Sequence, residues 1–188
     1  MKPVNILLIL TLIFMVACNS SNTSNNASPA EQQNVVIVQD FENAVDGLPN
    51  WNGVRTVFMI DSTQTHSGNY VSLMNDTMQY SLAYNEKLTN INSAVPSSVE
   101  VEGWLKSSIT MPNVSVIIDV KDIEGKEKSW RSIDLDSTLN EVGVWKNFKL
   151  STNLSNADLD KDDDIKIFVW NKSKKEVMLD DLTITFKF

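Results

Sequence analysis

The stretch "EVMLDDLTITFKF" (Glu176–Phe188) reads as a β-strand in all but two positions. Val, Ile, Thr and Phe suit a pleated, half-buried surface, whereas Asp is depleted from it. A carboxylate removed from water needs a compensating partner. Strict alternation gives Asp180 the parity of Leu182 and Ile184, which should face a core, and leaves Asp181 on the opposite, solvated side. The run therefore predicts a core strand with one acid that something must compensate.

Working outward, the same texture recurs. "NVVIVQDF", "VRTVFMI", "NYVSLMN", "MQYSLAY", "SSVEVEGWLK", "NVSVIIDV", "KSWRSIDL", "VWKNFKLS" and "DIKIFVWN" are short runs rich in Val, Ile and aromatics, separated by Gly, Pro, Asn, Asp and Ser. No segment sustains a helical period; "STLNEVG" and "NLSNADLD" allow at most a turn of helix. Many short strands in a domain of this size predict an all-β fold, a two-sheet antiparallel β-sandwich with jelly-roll order.

The N-terminus has a different texture. A basic "MK", the apolar "ILLILTLIFMVA" and then Cys18, the single cysteine, resemble a bacterial lipoprotein signal peptide. The resemblance implies a signal peptide over 1–17, cleavage before Cys18 and lipid on that residue. "NSSNTSNNASPAEQQN" has almost nothing apolar to bury and reads as a disordered tether over 18–34. Residues 35–188 are the folded domain. With Cys18 acylated no disulfide can form. Without Lys2, fifteen basic residues face twenty-four acidic ones, a balance of −9 (15 − 24). Such a domain, with only two arginines, is a poor match for nucleic acid.

Alternation assigns faces. Val99, Val101 and Leu105 should point inward, as should Ile165, Ile167 and Val169, and Ile133 and Leu135 with Arg131. The opposite parity then carries Trp104, Phe168, Trp170 and Trp130. Large aromatics on the wet side of three strands are the unusual feature of the chain. They suggest a platform for sugar rings, whose apolar C–H faces stack on flat, rigid aromatic surfaces. Glu100, Glu102 and Asp119 would accept hydroxyl hydrogen bonds beside it. Trp51 is open to either role.

The order of "DFE", Gly47, Trp51, "HSGNY", "VEVEGWLK", "GVWKNF", "IKIFVWN" and "VMLDDLTI" resembles the carbohydrate-binding-module jelly rolls of families 4, 9 and 22, of the galactose-binding-like superfamily. The resemblance spans nearly all of residues 36–186 and implies no catalytic residues, a glycan groove on the concave sheet, and Trp145 plugging the sandwich edge. It also implies a structural Ca²⁺ with Glu42 and Asp180 as side-chain ligands and carbonyls of the "HSG" loop completing the shell. Calcium takes about six to eight oxygens, so two acids and a tight loop suit it. The segment from Met78 to Leu88 matches nothing in the family pattern.

Other candidates are weaker. "DLDKDDD" alternates acids like a calcium loop, but Asp163 stands where an EF-hand needs Gly and Val169 where it needs Glu. His66, the single histidine, lacks companions for zinc or a nucleophilic triad. A Tyr/His/Arg site handling a uronate could draw only on Arg55 and Arg131. The chain is thus expected to be a non-catalytic lipoprotein of the bacterial cell envelope, at the outer membrane, capturing glycan for envelope glycan-utilisation proteins. The alternative is a structural or protein-interaction domain of an envelope assembly. Replacing Cys18 by Ser is expected to abolish incorporation of a fatty-acid analogue; unchanged labelling would remove the lipoprotein reading.

Overall fold

The computed structural model describes residues 33–188. The expected signal peptide, Cys18 and the tether up to residue 32 lie outside the described residues. Strict alternation decides the architecture. In β6 (Ser98–Ser107) Val99, Val101 and Leu105 are buried, and in β10 (Asp164–Asn171) Ile165, Ile167 and Val169 are buried. Both sets join one apolar cluster, although the two strands do not pair. Two strands that bury the same core from separate sheets define a sandwich.

The first sheet runs β3 (Val57–Met59), β4 (Tyr70–Met74), β11 (Val177–Lys187), β6 and β9 (Lys146–Asn153), with β1 (Val35–Gln39) also paired to β11. The second runs β2 (Trp51–Asn52), β5 (Ala83–Lys87), β10, β7 (Val114–Lys121) and β8 (Glu127–Asp134). Every pairing is antiparallel. This is the expected two-sheet antiparallel sandwich. Trp51 resolves to the core side: it packs edge-on against buried Tyr84, ring centroids 5.4 Å apart.

Two local expectations fail for physical reasons. "MQYSLAY" does not form a regular strand before Ala83. There the Ser81 hydroxyl accepts the Val169 N–H at 2.9 Å, in place of a ladder carbonyl, while the Ser81 N–H donates to the Val169 carbonyl at 3.0 Å. A side chain has entered the ladder, so Met78–Leu82 follows β10 as an irregular segment, with one isolated bridge between Tyr80 and Trp170. Beyond β5, a short helix α1 (Leu88–Ile91) forms where none was expected, its Leu88 fully buried.

The second failure lies in β11 itself. Its pairing with β6 puts Leu179 opposite Leu105 and Asp180 opposite Trp104, then resumes with Thr183 opposite Glu102. One residue too many stands between Asp180 and Thr183: a β-bulge, with Asp181 at φ 47°. The bulge shifts the parity, so Asp180 lies on the outer side with Trp104 while Leu182 and Ile184 stay in the core. Asp180 is nonetheless fully buried, because a loop covers it.

Gly103 supplies the space that the sandwich needs at β9. It pairs with Phe148, which is buried, and a Cβ on Gly103 would stand 3.0 Å from the Phe148 ring. Gly103→Ala is expected to destabilise the domain by about 1–3 kcal/mol through overpacking. In urea denaturation, Phe148→Leu in the same chain should recover part of that loss. Additive losses would show that the two residues are not in conflict.

Candidate functional site

The outer face of the second sheet is built by three strands side by side. On β10, Lys166, Phe168 and Trp170 point outward; their neighbours on β7 are Asp119, Ile117 and Ser115. Trp130 and Ser132 of β8 stand beyond Asp119 and Ile117. Phe168, Ile117 and Ala83 are buried and, with Trp170 against them, form an apolar patch separate from the main core. Phe168 is the floor: it is 8% exposed, whereas Tyr80 is 51% and Trp130 38% exposed. Tyr80 meets the Phe168 ring edge-on at 5.6 Å from the β5 side, and Trp130 approaches it at 6.5 Å from the β8 side. Tyr80 also lies 5.9 Å from Trp170, at 37°. Four aromatic rings thus adjoin across the sheet.

Polar groups are set among them. The Lys166 ammonium lies 5.4 Å from the Phe168 ring centre and that of Lys172 4.9 Å from Trp170. Asp119 is 6% exposed; one carboxylate oxygen is 3.3 Å from the Lys121 ammonium, and the other, Oδ1, has no partner. The Trp170 indole N–H is likewise buried and unpartnered. Buried polar groups without partners are uncommon and call for a hydrogen-bonding companion.

Beside the aromatic row lies a cavity of about 390 Å³. Asn52 lines it from β2, Arg55 from the β2–β3 connection, Asp76 and Tyr80 from the β4–β5 connection, and Lys166 and Phe168 from β10. Of these six, sequence reasoning named Phe168 for the platform, Lys166 only as outward-facing, and Arg55 only as a candidate for a uronate-handling site. Tyr80 was hidden in the segment that matched no family pattern, and its irregular pairing beside Trp170 removes the alternation that would have exposed it.

The sequence-predicted platform is divided by the fold. Trp130, Phe168, Trp170 and Asp119 share the second sheet, but Trp104 and Glu102 lie on β6, on the outer face of the first sheet. Two residues that both point away from one core, from opposite sheets, cannot share a groove. Parity identifies an outward side chain without saying which outside it reaches. Glu102 pairs instead with Lys149 at 3.1 Å. Trp104 stacks on the His66 imidazole, centroids 3.9 Å apart and planes at 16°. His66 Nδ1 lies 2.6 Å from Asp181. Trp145 is half-buried rather than an edge plug: it meets His66 edge-on at 6.0 Å, and its N–H donates to the Gln64 carbonyl at 3.1 Å. Lys106 donates to the same carbonyl at 3.0 Å. His66 therefore belongs to a clasp on the first sheet, Arg55 to the cavity and Arg131 to β8, so no Tyr/His/Arg site assembles.

That clasp answers the opening sequence. The loop carrying "HSG" does close on Glu42 and Asp180, but it turns N–H groups toward them, not the carbonyls that the resemblance implies. Asp180 Oδ2 accepts from His66 N at 3.0 Å and Ser67 N at 3.1 Å, and Oδ1 accepts from Asp181 N at 2.9 Å. Glu42 Oε1 accepts from Asn69 N at 2.7 Å and Tyr70 N at 2.9 Å. The φ of 55° at Gly68 favours glycine, and a Cβ there would push the Glu42 carboxylate aside. Amide hydrogens present positive charge where a cation would sit. Among the described residues, no three His, Cys, Asp or Glu are grouped to hold a metal. As arranged, the residues fit an amide-held clasp and not the expected calcium cage.

No protein-family model matches the sequence. No curated protein matches it either. Among solved structures, the chain is similar to the CBM22-2 xylan-binding domain of Xyn10C from Paenibacillus barcinonensis. The TM-score is 0.50 at 12% identity, covering 80% of this chain and 99% of that one. It is similar also to the CBM22-1–CBM22-2 tandem of the same protein, with TM-score 0.50 and 13% identity, covering 86% of this chain and 48% of the tandem. The fold is that of a carbohydrate-binding-module jelly roll.

Burial pushes the Asp180 carboxyl up to about 6, against the bonds from Ser67, His66 and Asp181 that lower it; the Asp181 charge adds to the rise. A carboxyl raised in the folded state binds its proton more tightly there than in the unfolded chain. Its stabilising contribution is full below the unfolded value near 4 and is lost as pH rises through about 6. The domain is thus expected to lose about 2–3 kcal/mol from this group between pH 4 and 7, and Asp180→Asn should flatten that part of the profile. Melting temperatures with calcium and with a chelator should coincide. A fall on chelation would show that a cation holds the clasp.

Proposed function

We propose that the domain is a non-catalytic glycan-binding module whose ligand, a poly- or oligosaccharide, lies across the outer face of the second sheet. The observation that carries this reading is the contiguous row of Tyr80, Phe168, Trp170 and Trp130 on an exposed sheet face. Such a row offers flat apolar area at low entropic cost, matched to the C–H faces of successive sugar rings. The unpartnered Asp119 Oδ1 and Trp170 N–H add an acceptor and a donor for ring hydroxyls. The xylan-binding domain with the same fold supports the reading by analogy.

The sequence of the N-terminus adds the setting. Lipid on Cys18 would hold the module at the bacterial envelope, at the outer membrane, where it would present captured glycan to partner proteins. A protein partner on the aromatic face is the competing occupant.

A glycan-array screen followed by titration separates them. Trp170→Ala and Tyr80→Ala are each expected to weaken binding of the selected oligosaccharide at least tenfold with little loss of stability. Trp104→Ala should leave affinity unchanged and destabilise the first-sheet clasp. Equal losses of affinity from Trp104→Ala and Trp170→Ala would contradict the assignment of the site to the second sheet. Absence of any glycan ligand would favour the protein partner.

A further inference from the structure

The cavity beside the aromatic row has a charge pattern that the row itself does not need. Arg55 and Lys166 both line it, and neither has an ion-pair partner among the described residues. In the same sheet Lys121 lies 3.3 Å from Asp119 and Lys87 3.6 Å from Asp164. Arg131 on β8 is also without an ion-pair partner among the described residues, so what sets Arg55 and Lys166 apart is that they line one cavity. In a chain with a formal charge of −8 and two arginines, carboxylates are abundant, yet these two cations are left without one.

Both are held on fixed backbone. Arg55 sits in a short 3₁₀ turn (Val54–Thr56) entered through Gly53 at φ 96°. Buried Thr56 locks that turn: its hydroxyl donates to the Gly53 carbonyl at 2.9 Å and lies 3.0 Å from the buried Ser72 hydroxyl. Lys166 stands on the central strand β10 over the Phe168 ring. A guanidinium presents a planar fork that matches a carboxylate or sulfate group, and an ammonium supplies a second charge. Asp76 lines the same cavity, on the turn where Asn75 accepts the Thr77 and Met78 N–H groups. It is exposed and makes no ion pair with either cation.

Resting on the glycan-binding reading, we propose that this cavity takes an anionic group of the polysaccharide, a uronate carboxylate or a sulfate ester, between Arg55 and Lys166. The aromatic row holds the neighbouring rings. The ligand class is therefore an acidic polysaccharide rather than a neutral one.

The test titrates the purified protein with polygalacturonate, the same polymer after reduction of its carboxyl groups, a sulfated galactan and neutral xylan. Binding to a charged polymer is expected to exceed binding to the neutral polymers at least tenfold and to fall as salt is raised. A preference for polygalacturonate or for the sulfated galactan identifies which anion is read. Arg55→Gln and Lys166→Gln should each remove most of that preference while leaving the melting temperature unchanged. Binding of both polygalacturonate and the sulfated galactan no tighter than that of the neutral polymers, or affinities untouched by both substitutions, would overturn the anionic assignment and leave the glycan-binding reading standing. Failure of all four polymers and of a glycan array to bind would remove both.

Discussion

The bulge at Asp181 is the local feature on which the first sheet depends. β11 pairs with β6 on one side and with β4 and then β1 on the other, so it must serve different neighbours along its length. Residues 177–179 face β4 and residues 182–186 face β1, and the extra residue falls between the two sets. The inserted residue lets the apolar side chains on both sides of it keep facing the core. Its consequence is that Asp180 turns outward, beneath the loop that carries His66, Ser67 and Gly68. A charge that strict alternation would have placed in the core is instead met by three backbone N–H groups.

That arrangement ties the first sheet's outer face to structure. Trp104, His66, Trp145 and Asp181 hold the loop on the sheet, and Glu102 and Glu100 pair with Lys149 and Lys187. Its polar groups are largely satisfied internally. The second sheet's outer face has the opposite character. Its aromatics adjoin one another, two of its polar atoms lack partners, and two cations at its cavity make no ion pair among the described residues. Unsatisfied hydrogen-bonding capacity beside exposed aromatic surface is what the proposed glycan would complete.

The second sheet also explains how an irregular segment becomes useful. Met78–Leu82 runs beside β10 because the Ser81 hydroxyl stands in for a backbone acceptor. That substitution leaves Tyr80 standing 51% exposed above Phe168, instead of fixed in the alternation of a regular strand. Its ring extends the platform that Phe168 and Trp170 begin. Rigid placement comes from the strands, and the shape of the cavity comes from the two connections that overhang them.

Hydrophobic alternation alone determined the fold class, the antiparallel sandwich and the inward sets on β6 and β10, because period-two burial is a local property of each strand. It also separated the outward aromatics from the core. Which outward face each aromatic occupies was decided only by tertiary structure: Trp104 and Trp170 have the same parity signal, yet sheet membership depends on pairing partners distant in sequence. The bulge at Asp181 was equally hidden, since one inserted residue leaves "LDDL" unchanged as a string while reversing the meaning of its parity. Tyr80, Arg55 and Lys166 converge from three separate segments, and no local pattern could announce a cavity that exists only once β2, β5 and β10 lie side by side.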